Sequence, residues 1–571
     1  MRKLRFALVA AAALVLAVGL AGSAGAGRGN DQLSKIDHIV VIYEENHSFD
    51  NLYGGWEGVR GRADADAAQT AQIDQNGVAY TCLKQLDVNL TSPPLAATCT
   101  DSAHGYSSAF PNEPFRIDAF LQPEDKTCPQ PGVFAPNGLL PSDANLPGGC
   151  TRDIVHRFYQ EQYQLDGGRQ DRYTTGSDAA GLTQGYYDTK ALPIYQYLHS
   201  GKHPHYAIAD EFFQAAFGGS FLNHQWLVAA ASPTYAAAPE SLHSILDANG
   251  FPNAGYPLYQ PATTVRDAAL TQACGASTTV AGFACGDYAV NTIQPTSQPH
   301  GSGTQLPLQA GTTIGDELTS AGVSWAWYGG GWSNAAGDVG APGWTNTGLV
   351  PNTCADPNSS PNPTYPYCPN KVFQYHHQPF NYFAQYAPST PGRSHLRDEQ
   401  EFIALASSSS DQCKLDSVSF VKPIGLENEH PGYTSEIRGS DHLVSLLEAI
   451  DDSACAKDTM VIVTYDEFGG QWDHVSPPGQ GQPPCQFQLW QPGGVTPCSH
   501  DQWGPGTRIP TLVVSPFLRG NFVVDHTQYD TTSILATIES RWGLHPLSSR
   551  DAAASSLSNV FAAKQYEAAG P

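Results

Sequence analysis

Two apolar runs that each end in carboxylates constrain this chain more than any other feature. Residues 36–43 are β-branched-rich and run into Glu44-Glu45-Asn46-His47-Ser48-Phe49-Asp50. Residues 460–465 do the same and run into Asp466-Glu467-Phe468-Gly469-Gly470. Such runs predict buried strands of a largely parallel α/β sheet. Their carboxylates would then stand at the strand ends, where open α/β sheets bind ligands. A third string, Phe217-Gly218-Gly219-Ser220, lies between them in sequence, and the three together look like one hydrolytic metal site.

The N-terminus bounds the compartment. Arg2-Lys3-Leu4-Arg5, an apolar run from Phe6 to about Leu20, and Ala24-Gly25-Ala26 have the three regions of a secretory signal. Residues 1–26 are therefore expected to be cleaved, leaving a secreted or periplasmic protein without stable membrane insertion. The chain carries 54 acidic against 29 basic side chains and a formal charge of −25, which becomes more negative when Arg2, Lys3 and Arg5 leave. That balance repels nucleic acid and anionic membranes. Export also suits the 12 cysteines, which fall into neighbouring pairs: Cys82/Cys99, Cys128/Cys150, Cys274/Cys285, Cys354/Cys368, Cys413/Cys455 and Cys485/Cys498. Six local disulfides are the economical expectation. The spacings match no zinc ribbon, so metal bound by cysteine is not expected.

The three strings are far apart in sequence and must meet in space, which argues for one large domain over residues 27–571. Gly/Pro/Asn-rich stretches near 122–150, 250–310 and 333–370 interrupt it. They are expected to be surface excursions stapled by disulfides, some of them capping the site.

Glu45 and Asn46 offer hard oxygen ligands suited to Mg, Ca or Mn, although the same string also suits a helix cap by Asn46 or Ser48. Asp50-Asn51-Leu52-Tyr53-Gly54-Gly55 reads as a helix stop and turn. Asp466 and Glu467 are adjacent carboxylates that repel unless a cation or proton relieves them, or else they form a solvated acidic turn. Ser220 follows two glycines and is predicted to stand at a helix N-terminus, where free N–H groups receive a phosphoryl oxygen. No glycine follows at the second position, so this is not the Gly-x-Ser-x-Gly elbow. His104, the pair His376-His377, His430 and His474 are candidate donors to a developing oxyanion or leaving oxygen, with structural hydrogen bonding as the competing reading. Trp325-Ala326-Trp327-Tyr328 with Gly329-Gly330-Gly331-Trp332 is either core or an exposed loop at a substrate entrance.

These strings resemble the bacterial phosphoesterases that group phosphatidylcholine-type phospholipases C with acid phosphatases, within the alkaline phosphatase-like fold. Glu45-Asn46-His47-Ser48-Phe49-Asp50 is similar to the family's Glu-Asn-Arg-Ser-Phe-Asp, with His47 in place of Arg. Thr464-Tyr465-Asp466-Glu467, Gly469-Gly470 and Asp473-His474-Val475 resemble its second motif. Thr532-Ser533-Ile534-Leu535, Arg541-Trp542-Gly543-Leu544 and Arg550-Asp551 resemble its closing helix, with Thr531 where the family often has His.

The resemblance implies an α/β fold with a central, mostly parallel sheet flanked by helices. It implies one divalent cation of the hard-ligand type held by Glu45, Asn46, Asp466, Glu467 and Ser220. Ser220 would be the nucleophile, with His104, His376 or His377, His430 and His474 as phosphate-binding or acid groups. The string Gly218-Gly219-Ser220-Phe221-Leu222-Asn223-His224-Gln225 and His376-His377-Gln378-Pro379-Phe380 resemble the acid phosphatase branch. A metal-dependent acid phosphatase acting on small phosphomonoesters through a phosphoserine is thus the expectation. A phospholipase C or phosphodiesterase acting on phosphatidylcholine-like lipids is the alternative. The sequence leaves the oligomeric state open.

Overall fold

The structure, a computed structural model, describes residues 29, 31–84, 95–125, 149–177, 179–235, 306–345 and 373–567. Eight strands form the central sheet: β1 His38–Glu44, β2 Tyr206–Ala209, β3 Trp325–Gly329, β4 Leu396–Asp398, β5 Val418–Lys422, β6 Thr459–Tyr465, β7 Thr511–Val514 and β8 Phe522–Asp525. Their spatial order is β4-β3-β5-β1-β6-β7-β2-β8. β7 runs antiparallel to both neighbours, and every other pairing is parallel. The central strands are buried. Ile39, Val40, Val41 and Ile42 of β1 and Met460, Ile462 and Val463 of β6 are fully buried. Each such side chain contributes about 1.5–3 kcal/mol. This is why the two runs are continuously apolar rather than alternating.

Five helices of eight residues or more flank the sheet among the described residues: α1 Phe158–Leu165, α2 Ser220–Ala229, α3 Glu399–Ala406, α4 Glu436–Asp451 and α5 Thr532–Trp542. α4 shows how the sequence dictates them. Ser435 caps its first turn through Arg438 N at 3.3 Å, and Leu443, Leu446, Leu447 and Ile450 fall on one buried face at helical spacing. α5 stops at Gly543, whose φ of 67° supplies the left-handed C-cap.

Three disulfides predicted by neighbourhood are formed, Cys82–Cys99, Cys413–Cys455 and Cys485–Cys498. Cys150 is also disulfide-bonded, while the other two pairs, the signal segment and most of the three excursions lie outside the described residues. Of the 333–370 stretch, residues 333–345 are described, and from residue 336 onward they are half-buried or exposed. A short helix, Trp332–Ala336, packs against the edge strand through Trp332 Nε1 to Leu396 O at 2.9 Å and Ser333 N to Asp398 Oδ2 at 2.9 Å. No described helix is long and apolar enough to cross a membrane.

The aromatic string resolves as core. Trp325–Gly329 is a buried strand, not a loop, because two indoles, an alanine and a tyrosine fit a pleated surface buried on both faces. Trp327 stacks on Phe420 at 5.5 Å and donates its Nε1 proton to His377 O at 2.7 Å, so the strand supports the site from below.

Candidate active site

Parallel register brings the two carboxylate strings together. Glu44 stands opposite Tyr465 at the last pair of β1 and β6, so Glu45-Asn46 and Asp466-Glu467 leave the same sheet edge side by side. The turn after β1 is tight. Asn46 takes a positive φ of 58°, a conformation asparagine tolerates, and its N–H donates to Asp466 Oδ1 at 3.0 Å. Ser48 then caps the one-turn helix Phe49–Leu52, accepting from Asn51 N at 3.2 Å. This is the cap and stop that the string suggested.

Ser220 is the first residue of α2. Gly219 before it is extended and supplies no side-chain cap. Gly218 has a φ of 89°, and a Cβ there would lie 2.5 Å from Phe158 N, so only glycine fits. The Ser220 hydroxyl donates to Glu45 Oε2 at 3.2 Å and to Asn46 Oδ1 at 3.4 Å. Asn223, one turn on, ties the loop back by accepting from Ala216 N and donating to Gly218 O, at 3.0 and 3.2 Å.

Ser220, Glu45, Asn46, Asp466 and Glu467 are all fully buried. Asp466 Oδ1 is used by two backbone N–H groups, but Asp466 Oδ2 has no hydrogen-bond partner. Glu467 Oε2 accepts Gly469 N at 2.6 Å, while its Oε1 has none. Burial pushes both carboxyls well above the usual range, Asp466 further because of Glu45 and Glu467 further because of Asp466. Orphaned, mutually repelling carboxylate oxygens beside an amide oxygen and a hydroxyl form a donor set that fits a hard divalent cation.

Glu45 behaves differently. Burial pushes its carboxyl up, yet Lys422, then His377 and His430, outweigh this and hold it well below the usual range. Lys422 closes β5 and is itself fully buried. Its ammonium touches Glu45 Oε1, Tyr43 O at 2.8 Å and Glu44 O at 3.2 Å, using all three protons.

His377 and His430 reach this cluster. His377 Nε2 is 2.8 Å from Glu45 Oε1, and His430 Nε2 is 3.4 Å from Asn46 Nδ2 and 3.9 Å from Glu45 Oε2. His376 sits edge-on to His377 at 4.6 Å. Two histidines that received no role in the sequence reading also belong here. His224 lies parallel to His377 at 5.1 Å, 3.8 Å from Asp466 Oδ2. His156 is 3.4 Å from the Asn46 amide and 3.5 Å from Glu467 Oε1. Burial lowers all five imidazoles, His377 to about 4 and His156 to about 3. They are neutral rings, each offering one N–H donor and one nitrogen lone pair.

His104 and His474 lie elsewhere. His104 belongs to a hairpin, held by Asp101 at 2.9 Å and Asp74 at 3.5 Å against the Tyr80 ring. His474 joins a buried ionic network with Asp50, Asp473 and Arg508. Residue type alone made both eligible, but local carboxylates claim them. His47, where Arg resembles the family better, is pushed down to about 4 by burial and braces Asn51 Oδ1 and Glu429 O, at 2.5 and 3.0 Å. Thr531 accepts from Ala215 N at 3.1 Å in the approach to the serine loop.

Phospholipase C A of Mycobacterium tuberculosis is 24% identical over 540 residues, covering 91% of this chain and 75% of that protein. Non-specific phospholipase C6 of Arabidopsis thaliana is 29% identical over 164 residues, 26% of this chain and 30% of that one. Among solved structures, murine ectonucleotide pyrophosphatase/phosphodiesterase 5 covers 62% of this chain and 91% of its own at 10% identity and a TM-score of 0.25. A protein in the alkaline phosphatase superfamily from Vibrio parahaemolyticus covers 44% of this chain and 52% of its own at 12% identity and a TM-score of 0.21. A family model described as Phosphoesterase family matches residues 36–545. By that match, which contains every strand of the central sheet and every residue of the buried cluster, the chain belongs to the phosphoesterase family.

Proposed function

We propose that the protein is a secreted, cation-dependent phosphoester hydrolase of the phospholipase C kind, with Ser220 as nucleophile. The observation that carries this is the Ser220 hydroxyl at 3.2 Å from Glu45 and 3.4 Å from Asn46, beside carboxylate oxygens of Asp466 and Glu467 that have no hydrogen-bond partner. Glu45, Asn46, Asp466, Glu467 and Ser220 would hold one cation such as Mg, Mn or Ca. Such an ion supplies Lewis-acid activation and neutralises charge on the phosphoryl oxygens. The Ser220 hydroxyl points its proton at Glu45, the carboxylate kept ionised by Lys422. As its oxygen attacks phosphorus the proton passes to Glu45, the bond from phosphorus to the leaving oxygen breaks, that oxygen takes up a proton to depart as the alcohol, and a phosphorylated serine forms. Water then cleaves that ester and restores the hydroxyl. The N–H of His377 is directed at Glu45 Oε1 and that of His430 at Pro431 O, at 2.8 and 2.7 Å, so His376, whose Nδ1 has no hydrogen-bond partner, is the neutral ring of the three that can donate to a phosphoryl oxygen as negative charge builds.

For the substrate, the phospholipase C relatives favour a phosphatidylcholine-like phosphodiester, with diacylglycerol as leaving alcohol and a phosphorylated headgroup released by water. A second reading is an acid phosphatase acting on phosphomonoesters. It is favoured by the loop Gly218-Gly219-Ser220-Phe221-Leu222-Asn223-His224 and by a nucleophile with no exposed surface, which a slim terminal phosphoryl group reaches more easily than a disubstituted one. Cleavage of the signal at residues 1–26 delivers the enzyme to the cell exterior or periplasm.

The test compares wild type and Ser220→Ala on phosphatidylcholine and on p-nitrophenyl phosphate, before and after chelation. Faster, Ser220-dependent diacylglycerol release supports the leading reading, and faster aryl phosphate cleavage supports the second. Turnover that survives Ser220→Ala overturns the nucleophile assignment.

A further inference from the structure

Glu161, in α1, is fully buried and is not among the residues assigned to the cation or the nucleophile. Its two oxygens each receive two donors. Oε2 accepts the Gly218 N–H at 2.6 Å and the Gln214 amide at 2.9 Å. Oε1 accepts the Thr507 N–H at 2.7 Å and the Thr507 hydroxyl at 2.9 Å. Gln214 continues the chain of contacts. Its amide nitrogen also reaches Ala216 O at 2.7 Å and Gly218 O at 3.1 Å, and its amide oxygen accepts the Phe468 N–H at 2.9 Å. Phe468 directly follows Glu467, and Gly218 stands two residues before Ser220. Two side chains therefore join the serine loop to the loop that carries both acidic ligands. Room for this is made by Gly506, where a Cβ would lie 2.5 Å from Glu161 Oε1 and 2.7 Å from Gln214 Cγ.

We infer that Glu161, acting through Gln214, is a positioning residue that sets the Ser220 hydroxyl against the Asp466-Glu467 pair. The inference rests on the reading of Ser220 as nucleophile. Neither Glu161 nor Gln214 touches the reacting atoms; the pair fixes where those atoms stand. Fixing matters because a nucleophile displaced by about 1 Å loses on the order of 100-fold in rate. The contacts also make the amide isostere a specific probe. In Glu161→Gln, one end of the side chain becomes a donor. If it faces Gly218 and Gln214 it meets two N–H groups, and if it faces Thr507 it meets the backbone N–H at the same short distance. Either orientation sets donor against donor and loosens one arm without changing volume.

The experiment measures kcat and KM for wild type, Glu161→Gln and Ser220→Ala on whichever of phosphatidylcholine and p-nitrophenyl phosphate the wild type turns over faster. Circular dichroism and thermal melting are followed in parallel. The expected result is a kcat lowered about 10–100-fold in Glu161→Gln, with KM within about twofold of wild type and the fold retained. Thr507→Val, which removes a single hydroxyl donor from Oε1, is expected to lower kcat severalfold in the same way. It decides the matter if Glu161→Gln does not fold. A folded Glu161→Gln or Thr507→Val with wild-type kcat, or a loss confined to KM or to melting temperature, overturns the inference while a silent Ser220→Ala leaves the nucleophile standing. Full activity in Ser220→Ala overturns both.

Discussion

Asp50 meets His474 twice: its Oδ2 accepts the His474 backbone N–H at 2.8 Å and lies 2.6 Å from the ring Nδ1. The two residues sit four or more positions beyond the carboxylates that close β1 and β6, so this contact pins together the loops that carry the candidate cation ligands. Asp473 adds a second tie by accepting Asp50 N at 3.1 Å. Arg508 completes the network, with Nε on Asp473 Oδ1 at 2.9 Å, Nη1 on Asp210 O at 2.7 Å and its plane over the Phe49 ring at 4.6 Å. Asp50, Asp473 and His474 offer ligand atoms close enough to hold a metal ion, but the guanidinium already supplies the positive charge they need.

Removing that guanidinium takes the fixed positive charge from two buried carboxylates and leaves them His474 alone. Arg508→Met is expected to destabilise the fold by about 3–5 kcal/mol, the range for breaking a buried charge pair from one side. Urea unfolding of the variant against wild type at neutral pH checks it. A change under about 1 kcal/mol would mean that the network relaxes around the gap.

The Asp50–His474 contact also predicts a pH dependence. Burial lowers the His474 ring, but the hydrogen bond and charge of Asp50 outweigh it and raise the pKa above 6.5. Burial likewise raises Asp50, but His474 and Arg508 outweigh it and bring the carboxyl below 3.8. A raised histidine stabilises fully below its unfolded pKa and loses that contribution as pH rises through the folded value. A depressed carboxyl stabilises above its unfolded pKa and loses it as pH falls through the folded value. Both contributions are therefore present between 3.8 and 6.5. The stability gap between wild type and His474→Gln should narrow from about pH 6 to about pH 9, which unfolding midpoints measured at both ends would register.

How far the site was legible in sequence depended on whether a residue's role follows from its neighbours in the chain. Glu45, Asn46, Asp466 and Glu467 were legible because a buried parallel strand delivers its last residues to one sheet edge, whatever lies between the strands. Ser220 was legible because consecutive glycines before a serine suit a helix entry. Lys422 carried the same signal, a charge closing a β-branched run, but a lysine there also suits an ordinary solvated strand end. His156 and Glu161 carried none, since an imidazole in an irregular segment and an acid on a helix acquire meaning only from loops packed against them. His104 and His474 were eligible by chemistry and were claimed by Asp101 and Asp50. The aromatic string was legible as core from its indoles, while the glycines at 329–331, which left a loop open as the alternative, only turn the chain after a buried strand.

Lys422 gives a prediction about cation binding. It is foremost among the charges that hold Glu45 ionised, and a carboxylate must be ionised to bind a metal. Lys422→Met should therefore move the pH midpoint for Mn binding upward, because protons now compete at Glu45. Titration calorimetry with Mn across acidic to neutral pH reads this shift. An unchanged midpoint would mean that Asp466 and Glu467 alone govern binding.

The two loops that carry the proposed ligands also meet at Gly469. Its φ of 62° is left-handed, and a Cβ there would stand 2.1 Å from Asn46 O. The opposing atom is backbone, in a residue that already holds a positive φ and whose N–H is bonded to Asp466. Neither side can yield without moving a proposed ligand. Gly469→Ala therefore does two things: it costs about 1–3 kcal/mol as local strain, and it drives Asn46 away from Asp466 and Glu467. The fold, whose central strands lie outside this contact, should survive, while cation affinity and kcat fall together, each by more than about 10-fold. Gly494→Ala is the control. Its φ of 89° carries the same backbone penalty, but nothing lies within 4 Å of the added methyl. If both variants lose stability and only Gly469→Ala loses the cation, spacing between the loops is what the glycine protects. If Gly469→Ala binds Mn and turns over as wild type does, Asn46 is not a ligand whose position matters.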